Sequence, residues 1–386
     1  MASGPLSGVR VIELAGLGPA PICGVMLADL GAEVIRVERS PAKPGEAPPA
    51  DPLLRNRRSI AVNLKNPLGV ELLLKLIAGA DILIEGFRPG VMEKLGLGPE
   101  VCLAGNPKLV YGRATGWGQD GPLAQAAGHD INYLAVTGLL HQVGAAGGKP
   151  IPPLCFAGDF ASGGTLLAFG VLAALTAARS TGRGQVVDGA IVDGAIAMMG
   201  VFYALRDTGL VRDGTGENYL AGAAPWYDTY ATLDGKYVAI GPLEPQFFAQ
   251  LLDKLGLDGE RWLPLGFPAV DDRARQQWPA LRTALTEVFA SRTRDQWCEL
   301  LEGTDTCFAP VLTMAEAPNH PHNRARGSFI EVDGRLQNAP VPRFSDTAPG
   351  RVRGPAPAGA DTLAVLADAG FDAAAIAALR DGGALN

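Results

Sequence analysis

The chain has 386 residues, enough for one large domain or two to three ordinary ones with adequate hydrophobic cores. Hydrophobic residues make up 47% and charged residues 19%, which is typical of a folded globular protein and excludes a largely disordered chain. A net charge of −7 argues against general binding of nucleic acid or of a membrane surface, so an anionic ligand would need a local cluster of basic residues.

Cysteine usage and the start of the chain indicate the compartment. The five cysteines are scattered without a Cys-x-x-Cys pair, which argues against a zinc site or a disulfide framework and for a reducing environment. The stretch Met1 to Leu6 has neither the basic nor the apolar segment of a secretory signal. The most apolar run, Leu166 to Ala178, is too short for a membrane span and is interpreted as a buried helix. We therefore expect a cytoplasmic protein.

The first half of the chain alternates strand and helix patterns. The predicted strands are 10–14, 33–38, 59–64, 81–85, 109–114 and 185–191, and the predicted helices are 22–30, 67–78, 165–180 and 195–209. Strands joined through helices form βαβ units, which predict a parallel sheet with crossover helices. The fold class is therefore α/β, with a doubly wound, Rossmann-like large domain.

The pattern of predicted strands and helices changes near Gly209. Strands at 227–232 and 236–240 are joined through Asp234-Gly235, which predicts a β-hairpin, and helices are predicted at 246–255, around 279–291 and at 294–301. A strand at 328–332 and two short Ala-rich helices follow. We predict a large domain at 1–190 that residues 330–386 rejoin, a linker at 191–224, a small α+β domain at 225–312 and a return linker at 313–329.

The turn after the first strand is similar to a dinucleotide-binding fingerprint but differs from it in its chemistry. Gly16 and Gly18 follow the strand and Glu38 comes later, yet Pro21 occupies the third glycine position and Pro19 stiffens the turn. Proline lacks the N–H group that would contact a pyrophosphate. The sequence therefore argues against a nicotinamide-dependent redox enzyme.

The stretch from Gly128 to Thr165 holds the most distinctive chemistry. His129 lies between a glycine and an aspartate, and Asp159 precedes the long apolar helix. A His and an Asp on short loops can move a proton on and off carbon, while helix-start amides, here those of Gly158 and Asp159, hold the enolate oxygen. The alternatives are a surface or cap role for His129 and a plain N-cap role for Asp159.

Basic residues near the predicted strand ends form a second candidate site. Three arginines crowd together before one strand, and four further cations lie near other strand ends. They are Arg55, Arg57 and Arg58, then Arg39, Lys65, Arg88 and Lys94. Ligands of open α/β sheets collect at the carboxyl ends of strands, and arginine suits phosphate groups, so the set predicts a phosphorylated ligand. The alternative is a solvated basic rim.

Three other motifs have weaker signals. Glu244 lies between the predicted hairpin and a helix, where compensation of the helix-start charge is the alternative to a role in the site. His320 and His322 flank a proline with no further metal ligands nearby in sequence, which makes a metal site a weak hypothesis. Met198-Met199 is interpreted as packing, with an adaptable surface for an acyl group as the alternative.

Several stretches together resemble the class III CoA-transferase superfamily. They cover most of residues 6–200 and continue into the small domain and the tail, at 6–14, 29–35, 57–58, 63–65, 85–90, 115–122, 182–188, 241–246 and 342–345. Within that superfamily the chain is most similar to the α-methylacyl-CoA racemase branch, on the stretches 128–133, 158–160 and 244–247.

The resemblance implies the class III CoA-transferase fold, an interlocked homodimer and interconversion of (2R)- and (2S)-2-methylacyl-CoA thioesters by 1,1-proton transfer through an enolate. It implies that His129 and Asp159 are the acid/base pair and that Glu244, from the partner chain, assists them. CoA is part of the substrate, so no cofactor, metal, nucleic acid or membrane partner is implied. The residues implied to lie near CoA are Arg39, Arg58, Lys65, Arg88 and Lys94, the last standing where a related pattern has arginine.

Two other functions fit parts of the pattern. In a CoA transferase on the same fold, Asp159 would attack the thioester, form a mixed anhydride and pass CoA to another acid. His129 and Glu244 favour the racemase over that alternative. A noncatalytic acyl-CoA-binding protein would tolerate neutral replacements at His129 and Asp159.

Overall fold

The computed structural model describes residues 3–41 and 51–385. Its strands are β1 Arg10–Leu14, β2 Glu33–Glu38, β3 Arg57–Ala61, β4 Ile82–Glu85, β5 Val110–Thr115, β6 Gln185–Ala190, β7 Asp228–Ala231, β8 Tyr237–Ile240, β9 Phe308–Val311, β10 Phe329–Val332 and β11 Arg335–Asn338. Its α-helices are α1 Pro19–Asp29, α2 Pro67–Ala78, α3 Val91–Lys94, α4 Pro99–Gly105, α5 Asp130–Ala135, α6 Leu139–Gln142, α7 Leu166–Thr181, α8 Ile191–Met198, α9 Gly200–Arg206, α10 Pro245–Leu255, α11 Gly259–Trp262, α12 Asp272–Phe289, α13 Arg294–Leu301, α14 Pro321–Ala325, α15 Thr362–Asp368 and α16 Ala373–Asp381. A π-helix, Phe156–Thr165, leads directly into α7.

The chain divides into two compact units. The first comprises Met1–Thr137, Leu154–Met198 and Gly327–Asn386, and the second comprises Gly138–Pro153 and Met199–Arg326. This division differs from the domain boundaries predicted from the sequence, because it runs between α8 and α9 and assigns the 138–153 segment to the second unit. The predicted linker at 191–224 contains the helices α8 and α9.

A six-stranded sheet organises the first unit. Its strand order is β3-β2-β1-β4-β5-β6, and every neighbouring pair is parallel. The chain moves outward from β1 to β3, then returns to the other side of β1 and moves outward again from β4 to β6. The predicted doubly wound α/β class is confirmed, and the direction of winding reverses between β1 and β4.

Both faces of the sheet are covered, as the apolar strands require. Along β1, Val11 faces a core that includes Leu27 of α1 and Val171 of α7, whereas Ile12 faces a core that includes Leu72 of α2. Successive side chains of a strand point to opposite faces, so a strand with apolar residues at consecutive positions, such as Val11 and Ile12, must be buried on both faces.

The C-terminal segment of the first unit returns to strand β3. The N–H of Ser59 donates to Asp361 Oδ2 at 2.8 Å, and the N–H of Ala61 donates to Thr362 Oγ1 at 3.1 Å. Backbone donors at this edge of the sheet are thereby satisfied by side chains at the start of α15.

The long apolar helical segment Phe156–Thr181 has the length and composition of a membrane span, and 44% of its most apolar 18-residue stretch is buried inside the structure. Leu167 and Val171 on its buried face pack in the core against the sheet. This packing accounts for the composition, in agreement with the interpretation of a buried helix.

The second unit contains the antiparallel sheet β7-β8-β9. Thr232 and Lys236 close the predicted hairpin between β7 and β8 with a backbone hydrogen bond of 2.9 Å. Large aromatic side chains fill the core of this unit, among them Trp226, Phe289 and Trp297.

Candidate active site

A cavity of about 470 Å³ opens at the carboxyl ends of β1, β4 and β5. The loops after these strands form its walls, at 17–19, 86–89 and 115–117, together with His129, Tyr133 and Asp159. It lies where the sheet changes its direction of winding, which is the usual ligand site of an open α/β sheet. We call it the switch-point cavity.

His129 is held at the cavity by the first turn of α5. It occupies the N-cap position in an extended conformation, with φ −132° and ψ 175°. Its N–H donates to Asn132 Oδ1 at 3.0 Å, and its carbonyl accepts the N–H of Asn132 at 2.8 Å. The cap role considered for His129 therefore belongs to its backbone, which leaves the exposed imidazole at the cavity wall.

Asp159 lies in the first turn of the π-helix, not on a loop ahead of α7. The predicted helix 165–180 is confirmed as α7, Leu166–Thr181, but helical structure begins earlier, at Phe156. Glycines allow this helix to pack closely: a Cβ on Gly164 would lie 2.4 Å from Ile22, and one on Gly163 would lie 2.7 Å from Pro19, both in α1. π-Helical segments are rare and occur often at functional sites.

The amide of Asp159 is already bonded inside the protein. Its N–H donates to Asp130 Oδ2 at 2.8 Å, so the prediction that this amide holds an enolate oxygen does not fit the structure. A Cβ on Gly158 would lie 2.1 Å from the same oxygen, so the carboxylate rests against bare backbone. Sequence reasoning assigned no role to Asp130, and the glycine before Asp159 was the only signal of this close approach.

The proton affinity of Asp159 is increased by its surroundings. Burial of the half-buried carboxyl raises its pKa most, the negative charge of Asp130 raises the pKa further, and His129 partly offsets both effects. A carboxyl group with a raised pKa is a stronger base when ionised and exchanges protons closer to neutral pH.

Tyr133 forms the floor beside His129. Its hydroxyl donates to the carbonyl of Gly128, and its ring meets that of Trp117 edge to face at a centroid distance of 4.8 Å. A Cβ on Gly116 would lie 1.9 Å from the Tyr133 ring, so only glycine fits there. Burial raises the pKa of Tyr133, Asp159 raises the pKa further and Arg88 opposes the rise.

Arg88 reaches the cavity from the loop that follows β4. Glu85, at the end of β4, accepts the N–H of Phe87 at 2.7 Å and is itself held by Arg113 at 2.9 Å. Arg113 also donates to Glu93 at 2.8 Å, so one arginine fastens both sides of the loop. Burial raises the pKa of Glu85 most, and Arg113 opposes the rise.

The predicted cations separate into two groups. Arg39 follows β2, Lys65 follows β3 and Lys94 ends α3, and all three are exposed on the carboxyl side of the sheet, as Arg88 is on the carboxyl side of β4. The other three lie at the amino side of β3 and are paired with carboxylates, which corrects the prediction that they converge with the first group. Their ion pairs are Arg55 with Asp29, Arg57 with Glu13, and Arg58 with Glu33 and Asp368.

Glu244 belongs to the second unit. It is the exposed N-cap residue of α10, immediately after the β8 strand and its short loop. Burial raises the pKa of the nearby Cys307 thiol most, and the negative charge of Glu244 raises it further.

The residues 6–362 match the family model described as "CoA-transferase family III". The chain is 45% identical to the protein named "Alpha-methylacyl-CoA racemase" from Mus musculus, over 95% of this chain and 93% of that protein. It is 41% identical to the Homo sapiens protein of the same name, over 95% of this chain and 94% of that protein.

A solved structure shows the same likeness in three dimensions. The crystal structure of a CaiB/BaiF family protein from Brucella suis superimposes with a TM-score of 0.79 and 28% identity, covering 95% of this chain and 100% of that chain. The similarity therefore spans both units.

Proposed function

The chain belongs to CoA-transferase family III, and from this premise we propose that it is an α-methylacyl-CoA racemase. The reaction interconverts (2R)- and (2S)-2-methylacyl-CoA thioesters. The observation that supports it best is the pairing of His129 and Asp159 in one cavity at the switch point of the sheet.

The two side chains supply the proton transfers that inversion requires. One of them removes the α-proton, and the C–H electron pair moves into an enolate of the thioester. The other, which begins protonated, delivers its proton to the opposite face of the α-carbon. An imidazole has one ring nitrogen that can accept a proton and one that can donate it, and the raised pKa of Asp159 makes that carboxylate a stronger base.

The enolate oxygen needs a hydrogen-bond donor, and α5 offers one. The first N–H groups of an α-helix have no acceptor within the helix and carry partial positive charge. The amides of Asp130 and Ile131, directly after His129, are of this kind and replace the amide of Asp159 in the mechanism.

The CoA moiety would extend along the carboxyl edge of the sheet. Its thioester would lie in the switch-point cavity near Arg88, and its phosphates would lie toward Arg39 and Lys65 at the ends of β2 and β3. The strands β4 and β3 are three positions apart, about 14 Å at ordinary strand spacing, which an extended pantetheine can span. Lys94 is a further candidate for contact with the CoA phosphates. Arg58 is left out of this proposal, because it forms its ion pairs at the amino side of β3.

We also infer that the active form is an interlocked homodimer in which Glu244 of the partner subunit assists His129 and Asp159. Support comes from the first unit, where β6 ends the sheet and the adjacent helix α7 leaves Phe169 69% exposed. A sheet edge beside exposed aromatic surface is typical of a face that another chain covers.

The decisive experiment is hydrogen exchange in D₂O with a single enantiomer of a 2-methyl-branched acyl-CoA, followed by chiral analysis. We expect deuterium at the α-carbon of both enantiomers. If CoA instead passes to an added carboxylate without exchange, Asp159 is a nucleophile and the protein is a transferase. If the thioester binds and neither reaction occurs, the protein is a noncatalytic acyl-CoA-binding protein.

A further inference from the structure

Asp130 connects the two elements that carry the acid/base pair. It is the first residue of α5, next to His129, and its Oδ2 accepts the N–H of Asp159 in the π-helix at 2.8 Å. Building on the proposed function, we propose that Asp130 is a positioning residue that fixes the spacing of His129 and Asp159 by tying α5 to the π-helix.

A second contact supports the same role. The ideal Cβ of an alanine at Gly158 would lie 2.1 Å from Asp130 Oδ2 and 2.7 Å from its Cγ. Real Cβ contacts are never this short, so the carboxylate approaches the backbone as closely as a glycine permits. The hydrogen bond and the close approach act on successive residues, Gly158 and Asp159, and together leave the carboxylate little freedom to move.

The charge of Asp130 has a separate effect from its geometry. It raises the pKa of Asp159 beyond the effect of burial, while His129 lowers it. Asp159 in turn raises the pKa of Tyr133 in the same cavity, and Arg88 lowers it. The charged residues on the other elements packed on the π-helix are Asp29, Arg113, Arg179, Asp188 and Asp193, and none of them is a cause of the pKa shift of Asp159. Asp130 is therefore the charge that opposes ionisation of Asp159.

Three substitutions separate the geometric effect from the charge effect. Asp130→Asn keeps an oxygen that can accept the Asp159 N–H but removes the charge. Asp130→Ala removes both, and Gly158→Ala keeps the charge but forces the two elements apart. Gly105→Ala is the matched glycine control, because an added Cβ on that α4 residue meets nothing within 4 Å.

The readout is kcat and KM for α-hydrogen exchange as a function of pH. Asp130→Ala and Gly158→Ala should lower kcat about 100-fold with KM changed less than about threefold, since a displacement near 1 Å has an effect of this size. Asp130→Asn should lower kcat less than about tenfold. It should also move the acidic limb of the profile, where Asp159 acts as the base, to lower pH, because the pKa of Asp159 falls when the neighbouring charge is removed.

Two results would overturn the inference. One is an Asp130→Ala enzyme with the kcat and pH profile of the wild type. The other is an Asp130→Asn enzyme that loses as much kcat as Asp130→Ala with its acidic limb unmoved, which would indicate a purely structural role. Circular dichroism and thermal denaturation show whether each variant folds. If Asp130→Ala does not fold, the kcat values and pH profiles of Asp130→Asn and Gly158→Ala test the inference.

A measurement without turnover distinguishes this inference from the proposed function. Carboxyl ¹³C NMR titration of the ligand-free protein, with Asp159→Asn to assign the resonance, should show a lower pKa for Asp159 in Asp130→Asn. If wild-type enzyme exchanges no α-hydrogen, the proposed function fails and the titration still tests Asp130. If the wild type exchanges and the variants match it, only the inference fails.

Discussion

At the scale of single residues, Asp159 is placed where its ionised form is disfavoured. Burial and Asp130 raise its pKa in the folded protein, whereas in the unfolded chain it titrates near the ordinary value of about 3.9. A carboxyl group whose folded pKa is raised destabilises the fold at pH values above that pKa. The destabilisation vanishes as the pH falls below the unfolded value.

Asp159→Asn should therefore abolish racemisation while leaving the protein as stable as the wild type, or more stable, at pH 7. The difference in Tm should shrink as the pH falls and disappear below about pH 4. Thermal denaturation across this pH range tests the prediction, with exposed Asp120→Asn as the control. A lower Tm for Asp159→Asn at pH 7 would contradict it.

His129→Ala should lower kcat for α-hydrogen exchange about 10²–10⁴-fold, the usual contribution of a positioned acid/base group. KM should change little, because in the proposed mechanism His129 acts at the α-carbon and not on the CoA moiety. The matched control is His141→Ala, since His141 is exposed on α6 in the second unit. An alanine variant at 129 that exchanges at the wild-type rate would remove His129 from the mechanism.

The sequence was sufficient to select His129 and Asp159, because a rare histidine and a glycine-flanked aspartate are visible in the chain itself. It was not sufficient to find their connection through Asp130. That carboxylate lies one residue from His129 in sequence, and only the packing of α5 against the π-helix shows that it accepts the Asp159 amide. The arginines before β3 were misplaced because the start of a parallel strand lies at the opposite side of the sheet from the strand ends, and their carboxylate partners are distant in sequence.

At the scale of elements, the β4 loop depends on a buried pair. Glu85 is 1% exposed. Its carboxylate accepts a hydrogen bond from Arg113 and another from the N–H of Phe87, the residue before Arg88. Breaking a buried ion pair by removing one partner leaves a charge without compensation and typically costs about 3–5 kcal/mol.

Glu85→Ala should accordingly lower the free energy of unfolding by about 3–5 kcal/mol and raise KM for acyl-CoA, because the loop that carries Arg88 loses its anchor. Glu93→Ala is the matched control on the same arginine. Its side chain is 45% exposed, so solvent screens the pair and the loss should stay within about 1 kcal/mol. Denaturant unfolding and steady-state kinetics measure both effects, and equal losses in the two variants would contradict the argument.

Regular elements were predicted well where caps and periodicity agree. α2 and α13 have the predicted bounds, and each begins at a side-chain cap, Asn66 and Thr293. α12 begins earlier than predicted, at the Asp271 cap, because Pro279 is tolerated inside that helix. The π-helix was missed because its glycines are typical of a loop, whereas in the structure Gly163 and Gly164 pack closely against α1.

At the scale of the whole molecule, the proposed chemistry draws on residues from both units. His129 and Asp159 lie in the first unit, and Glu244 lies in the second, where it is exposed at the start of α10. Glu244 is proposed to assist the site of the partner subunit, and the alternative is that it serves its own chain. Subunit mixing distinguishes these two arrangements.

Co-expression of His129→Ala chains with Glu244→Ala chains should restore activity that neither variant has alone. In an interlocked dimer that takes Glu244 from the partner, each mixed dimer has one site with both substitutions and one site with neither. Random assembly makes about half of all dimers mixed, so activity should recover to about one quarter of the wild-type value. If Glu244 serves its own chain, every site of a mixed dimer carries one substitution and no activity returns. Differently tagged chains allow the mixed dimers to be purified, and the activity of the purified mixed dimers should approach one half of the wild-type value. If no dimer elutes from a sizing column, the homodimer itself is excluded.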